Sequence, residues 1–111
     1  MKIADFRALL ISTSRTFFSD VPVVVSEKRK IALEARIRIS NACFIEVYYN
    51  SLTIKKSYAL VKNGERIFGY DNFKYWHVHP VTDPSAHLAC EEPAIEKVFE
   101  EMGRIVLDQK V

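Results

Sequence analysis

Three histidines, His77, His79 and His87, are the side chains here best suited to proton transfer near neutral pH. His77 and His79 are two apart, and in an extended segment both point to one side. His87 follows after a loop and can bring a third imidazole to the pair. Such a set does two kinds of chemistry. It acts as general acid and base, or it ligates a transition metal, with Asp71, Asp83, Cys90 and Glu91 as extra ligands. The metal reading has no second motif and no fixed spacing behind it. The expectation is therefore no metal ligand and no cofactor. A structural role competes: the histidines can bond to Asp71, Asp83 or backbone carbonyls and hold the loop.

The residues around them extend the chemistry. Arg66, Arg36 and Arg38 can grip a phosphate through the guanidinium fork. Tyr70, Tyr75 and Trp76 can stack on a base, although an aromatic ring at a strand end more often packs. Asp71 and Asn72 can close a turn through their side chains, and Asp71 can instead orient a histidine. Phosphodiester cleavage in RNA needs only this kit, because the 2′-OH is the nucleophile. The expected catalytic group is His77, His79, His87 and Asp71. The expected binding group is Arg66, Tyr70, Asn72, Trp76, Arg36 and Arg38. Cys90 near His87 is a weaker nucleophile candidate. With only Gly64, Gly69 and Gly103 in the chain, there is no glycine-rich phosphate loop.

The chain must supply elements that position these groups. Its 111 residues make one domain, and 49% of them are apolar, enough for a real core. Charged residues at 27% exclude a disordered or fibrous chain. Residues 1–74 carry thirteen Lys/Arg against seven Asp/Glu, and residues 75–111 carry three against seven. That segregation either draws an anionic ligand to one face or reflects well-solvated surfaces. Cys43 and Cys90 form no CxxC motif and require no disulfide. No apolar run approaches the roughly 18 residues of a membrane span. A soluble cytoplasmic protein is the expectation.

Residues 3–18 read as an amphipathic helix, with Ile3, Phe6, Leu10, Thr13 and Phe17 on one stripe. Pro22 ends that pattern. Val23–Val25 reads as a short strand, followed by a basic turn, Ser26–Lys30, with a phosphate patch as its functional alternative. Ile31–Ile39 alternates, with Ile31, Leu33, Ala35, Ile37 and Ile39 on one face and Lys30, Glu34, Arg36 and Arg38 on the other. Residues 42–49, Tyr58–Val61 and Arg66–Tyr70 are further strands, and Asn63-Gly64 predicts a type I′ hairpin turn. Tyr75–Val78 is a short strand, and His79–Glu91 reads as a loop. Pro93 opens a last helix striped with Ile95, Val98, Phe99, Met102, Ile105 and Val106. The predicted fold is α+β: a helix, an antiparallel meander of four to six strands, and a helix, both helices on one sheet face.

Several of these residues together resemble a known family. The first helix runs out at FFSDV (17–21). The stretch RIFGYDN (66–72), the histidine cluster WHVHP (76–80) and Glu91-Glu92-Pro93 follow. Over residues 10–106 the chain resembles the TumE-like toxins of bacterial and archaeal toxin–antitoxin pairs. The resemblance implies a small cytoplasmic toxin paired with a DNA-binding antitoxin, and carries no catalytic assignment. Lys74, Tyr75 and Trp76 between Asn72 and His77 depart from the shorter or more histidine-rich link expected of relatives. The leading expectation is a toxin that binds RNA, with metal-independent cleavage by the His/Asp/Arg cluster as its reaction. A metal-binding hydrolase and a non-enzymatic interaction module are the alternatives. Pairing of a sheet edge into a homodimer stays open.

Overall fold

A computed structural model describes residues 1–109. Helix α1 (Ile3–Phe17) is followed by seven strands and helix α2 (Ile95–Gln109). The strands are β1 (Val23–Lys28), β2 (Ala32–Arg38), β3 (Cys43–Asn50), β4 (Lys56–Lys62), β5 (Glu65–Asp71), β6 (His77–His79) and β7 (Leu88–Ala89). They form one antiparallel sheet in sequential order. The expected meander is present with one strand more than the upper expectation. The extra strand, β7, is two residues long and lies inside the stretch read as loop, where so short a segment shows no alternation. Strand β1 also reaches further than Val25, so the basic turn shrinks to Arg29 and Lys30. Both take left-handed backbone angles, φ 54° and 57°. Asn63 and Gly64 do so at the β4–β5 hairpin, as predicted.

Alternation divides the sheet into two unlike faces. On β2, Leu33, Ala35 and Ile37 are buried while Glu34, Arg36 and Arg38 are exposed. On β3, Cys43, Ile45, Val47 and Tyr49 are buried on the same side. Both helices cover that side. Phe6 and Leu10 of α1 and Val98, Phe99 and Met102 of α2 join its core and are almost completely buried. Each such side chain is worth about 1.5–3 kcal/mol relative to exposure. Phe6 lies against Tyr49 with ring centroids 4.8 Å apart, and the Tyr49 hydroxyl donates to Met1 O at 2.6 Å. Phe18, just past α1, meets Phe99 edge-on at 6.1 Å. Pro93 lies two residues before α2 and not in its first turn. Glu92, just before it, pairs with Lys56 at 3.1 Å. Glu100 and Arg104, one turn apart, pair on the surface of α2.

Among the described residues, no helix lies on the opposite face. At its β5 end, the register between β4 and β5 shifts at Leu60/Val61, which leaves Ile67 as an extra residue. Beyond that bulge, Phe68 and Tyr70 point into the core, and Gly69 and Asp71 point to the open face. Gly69 is packed tightly there: a Cβ would lie 2.5 Å from the Tyr58 carbonyl oxygen. Replacing Gly69 by Ala should lower the unfolding free energy by about 1–3 kcal/mol, because a backbone atom must move. Urea denaturation measures this, and an unchanged midpoint would contradict the packing described.

Candidate functional site

Cross-strand register assembles the site. Asp71 on β5 stands directly opposite His77 on β6, and Gly69 stands opposite His79. Residues two apart on a strand share a face, so His77, His79 and Asp71 all project to the open side of the sheet. Ala89 on β7 pairs with His77. That places His87, two residues earlier, across from His79. The ring centroids confirm the convergence: 4.8 Å for His77–His79, 4.8 Å for His77–His87 and 4.5 Å for His79–His87.

One carboxylate organises this cluster. Asp71 Oδ1 lies 3.1 Å from His77 Nε2, and Asp71 Oδ2 lies 3.0 Å from His79 Nε2. The Phe73 N–H also donates to Oδ1 at 3.1 Å. Asp71, His77 and His79 are 6%, 4% and 1% exposed, so these bonds are shielded from water. A carboxylate so placed requires donors, which sets Nε2–H on both rings. The other ring nitrogens differ. His77 Nδ1 faces only the Tyr75 carbonyl at 2.9 Å, so His77 fills both bonds only when each nitrogen carries a proton. His79 Nδ1 has the Arg66 Nη2 donor at 3.2 Å and the Pro84 carbonyl at 3.2 Å, so its neutral form is satisfied by accepting from Arg66. His87 is exposed, with its ring against the other two.

These groups open into a cleft of about 430 Å³ lined by Arg66, Asp71, Phe73, Lys74, Tyr75 and the three histidines. A larger concavity of about 820 Å³ lies elsewhere, between the start of α1, Glu27, Lys30 and Ser51, and contains no imidazole. The histidine cleft holds the acid–base groups, and it is the candidate site. The Nδ1 and Nε2 atoms also permit a metal-ligand reading: one nitrogen from each histidine lies within 4.8 Å of the others.

The residues expected at the site divide cleanly. Asp71, His77, His79, His87 and Arg66 come together, and Tyr75 joins them. Asp71 both closes a turn onto Phe73 and orients histidines. Tyr70 does not reach the cleft. It points to the helix side, where its hydroxyl donates to Glu101 Oε1 at 2.7 Å, and burial with that carboxylate pushes its phenol well above the ordinary range. Trp76 packs on the core side, one residue out of phase with the histidines. Asn72 is a clasp: its Oδ1 accepts from Lys56 N and its Nδ2 donates to Ile54 O, both at 2.8 Å. Arg36 and Arg38 share the open face but sit on β2, four strand spacings or about 19 Å from β6. Arg36 is held by Glu46 at 2.7 Å and covers the Phe44 ring. Cys90 lies toward Lys97 and Glu101, away from His87, and burial raises its thiol. Asp83 accepts from Ser85 Oγ at 2.7 Å in the β6–β7 loop. Sequence reasoning passed over Phe73 and Lys74, which line the cleft from an irregular link with no periodicity to flag them.

Removing the central carboxylate should cost stability, whereas removing the exposed imidazole should not. Asp71→Ala strands two buried ring donors and should destabilise by at least about 2 kcal/mol. His87→Ala should stay within about 0.5 kcal/mol of wild type. Paired urea titrations test both. Equal effects would show that Asp71 does not anchor the cluster.

No curated protein and no solved structure matches this chain. The family model described as Toxin TumE matches residues 7–107, nearly the whole chain, including every member of the cluster. The chain belongs to the TumE toxin family.

Proposed function

We propose that this protein, the toxin component of a toxin–antitoxin pair, acts in the cytoplasm by binding and cleaving RNA at the cleft between β5, β6 and β7. Family membership supports the toxin role and an antitoxin partner. Among the described residues no helix is long and apolar enough to cross a membrane. The observation that carries the RNA reading is the Asp71 carboxylate bonded to two buried imidazoles, with an exposed third imidazole and an arginine on the same cleft.

The parts take distinct roles. His87 is exposed and can accept the 2′-OH proton as that oxygen attacks the adjacent phosphorus. The proton it takes passes back to the departing 5′-oxygen, while His77, held by Asp71 at Nε2 and by the Tyr75 carbonyl at Nδ1, packs against His87 and positions it. The products are a 2′,3′-cyclic phosphate end and a free 5′-hydroxyl. Arg66 places one N–H on His79 and has other donors with which to hold the phosphate. His79 and Asp71 fix the geometry, which is where much of such catalysis originates. Purified wild type should cleave RNA, and His87→Ala should slow cleavage by about 10²–10⁴-fold without loss of fold. Toxicity on expression without the antitoxin should fall in parallel. Undiminished toxicity in a His77→Ala/His79→Ala variant would instead favour a non-enzymatic interaction module.

A second reading has its own observation. Both buried Nδ1 atoms have a carbonyl within 3.2 Å, an arrangement that metal-ligating histidines commonly use, and the three ligand nitrogens are close enough for one ion. His77, His79 and His87 would then hold a divalent transition metal that activates water. Elemental analysis and chelation separate the two readings. Cleavage unaffected by chelator supports the acid–base mechanism, and stoichiometric zinc with chelator-sensitive cleavage supports the metal.

A further inference from the structure

We infer that the cleft is built for single-stranded RNA, with an unpaired base seated on a lip made by Phe73 and Tyr75. This rests on the RNA reading above and adds the form of RNA recognised. The two rings are unusual for this chain. Phe6, Phe68, Phe99, Tyr49, Tyr58 and Tyr70 are buried, whereas Phe73 and Tyr75 are 47% and 50% exposed. Both line the same cleft as the histidines. The Tyr75 ring centroid is 5.2 Å from that of His77, so a base resting there would bring its own phosphate to the cluster.

The charge around the lip suits a polyanion. Lys55 Nζ stands 5.6 Å from the Phe73 ring centroid, and Lys74 and Arg66 line the cleft. Asp71, the carboxylate that lines the cleft, is buried and bonded. Aromatic rings beside cations are the usual arrangement for binding single strands, because every base offers a π-face and every nucleotide a phosphate. Bases in a duplex are already stacked and cannot reach such a lip, and the deep major groove of an RNA helix excludes side chains.

The lip is held in place before any ligand arrives. The Phe73 N–H is bonded to Asp71, and the neighbouring Asn72 side chain ties the segment to Ile54 and Lys56. Lys74 and Ile54 both adopt left-handed backbone angles, φ 75° and 64°. For a β-branched residue such as Ile54 that conformation is a genuine outlier. Asn72 accordingly holds a strained loop beside the lip, and the same carboxylate that orients the histidines fixes the ring next to them.

The test compares a 2′-O-methyl RNA dodecamer, which lacks the attacking hydroxyl, as a single strand and annealed to its complement. Fluorescence anisotropy at low salt gives both affinities for wild type, Phe73→Leu/Tyr75→Leu and Phe73→Trp. The single strand should bind at least about tenfold tighter than the duplex. The double leucine variant should lose about tenfold or more of that affinity with duplex binding unchanged, and the tryptophan variant should keep it. Equal affinity for the two forms, or unchanged affinity of the leucine variant, overturns the inference. In that case the lip is open to a protein segment instead. If unmodified single-stranded and duplex RNA are cleaved equally well in a His87-dependent way, the cleavage reading survives and only the stacking lip fails. If wild type neither binds nor cleaves either form, the RNA reading itself falls.

Discussion

The site depends on one buried carboxylate between two imidazoles. Asp71 cannot sit on a water-poor sheet face without donors, because desolvating an unpaired carboxylate costs several kcal/mol. His77 and His79 provide them from the next strand, and the Phe73 amide supplies a third. The alternation of a strand explains the H-x-H spacing: only residues two apart reach the two oxygens from one side. Gly69 stands opposite His79 on the same face, where even a methyl group would strike the Tyr58 carbonyl. Burial and hydrogen bonding thus turn three flexible side chains into one fixed object, and His87 and Arg66 are placed against it.

The sheet's two faces separate stability from chemistry. Both helices cover one side with aliphatic and aromatic residues, and that side anchors the fold. The other side is left free for polar groups, and the strands at one end of the sheet use it for the cleft. Tyr70 and Asp71 show the division at its sharpest. They are adjacent, yet one bonds Glu101 on α2 and the other bonds the histidines.

Much of this was legible in the sequence. The two helical stripes, the alternation of Ile31–Ile39 and the Asn63-Gly64 turn led to an α+β meander with both helices on one side, and the residues that carried the TumE resemblance lie in the family match. The cluster of Asp71 with three histidines was also legible as candidates, since H-x-H on an extended segment must share a face. The facing of neighbouring side chains was not. Tyr70 and Trp76 were grouped with the site by proximity in sequence, although strand alternation turns each to the opposite side from Asp71 and His77. Arg36 and Arg38 were grouped by charge, although in a sequential meander their strand lies several spacings from the histidines. Phe73 and Lys74 escaped because an irregular link has no period. Strand β7 escaped because two residues cannot display one.

The carboxylate-centred cluster requires a proton on the nitrogen of each buried ring that faces Asp71. Long-range proton–nitrogen correlation NMR of the folded protein, with ¹⁵N-labelled histidine, reads this directly. The predicted result is a protonated Nε2 on both His77 and His79, with the Nε2 resonances of both rings shifting in Asp71→Asn while that of His87 does not. An unprotonated Nε2 on either buried ring would contradict the carboxylate-centred cluster and point to a bound metal ion in its place.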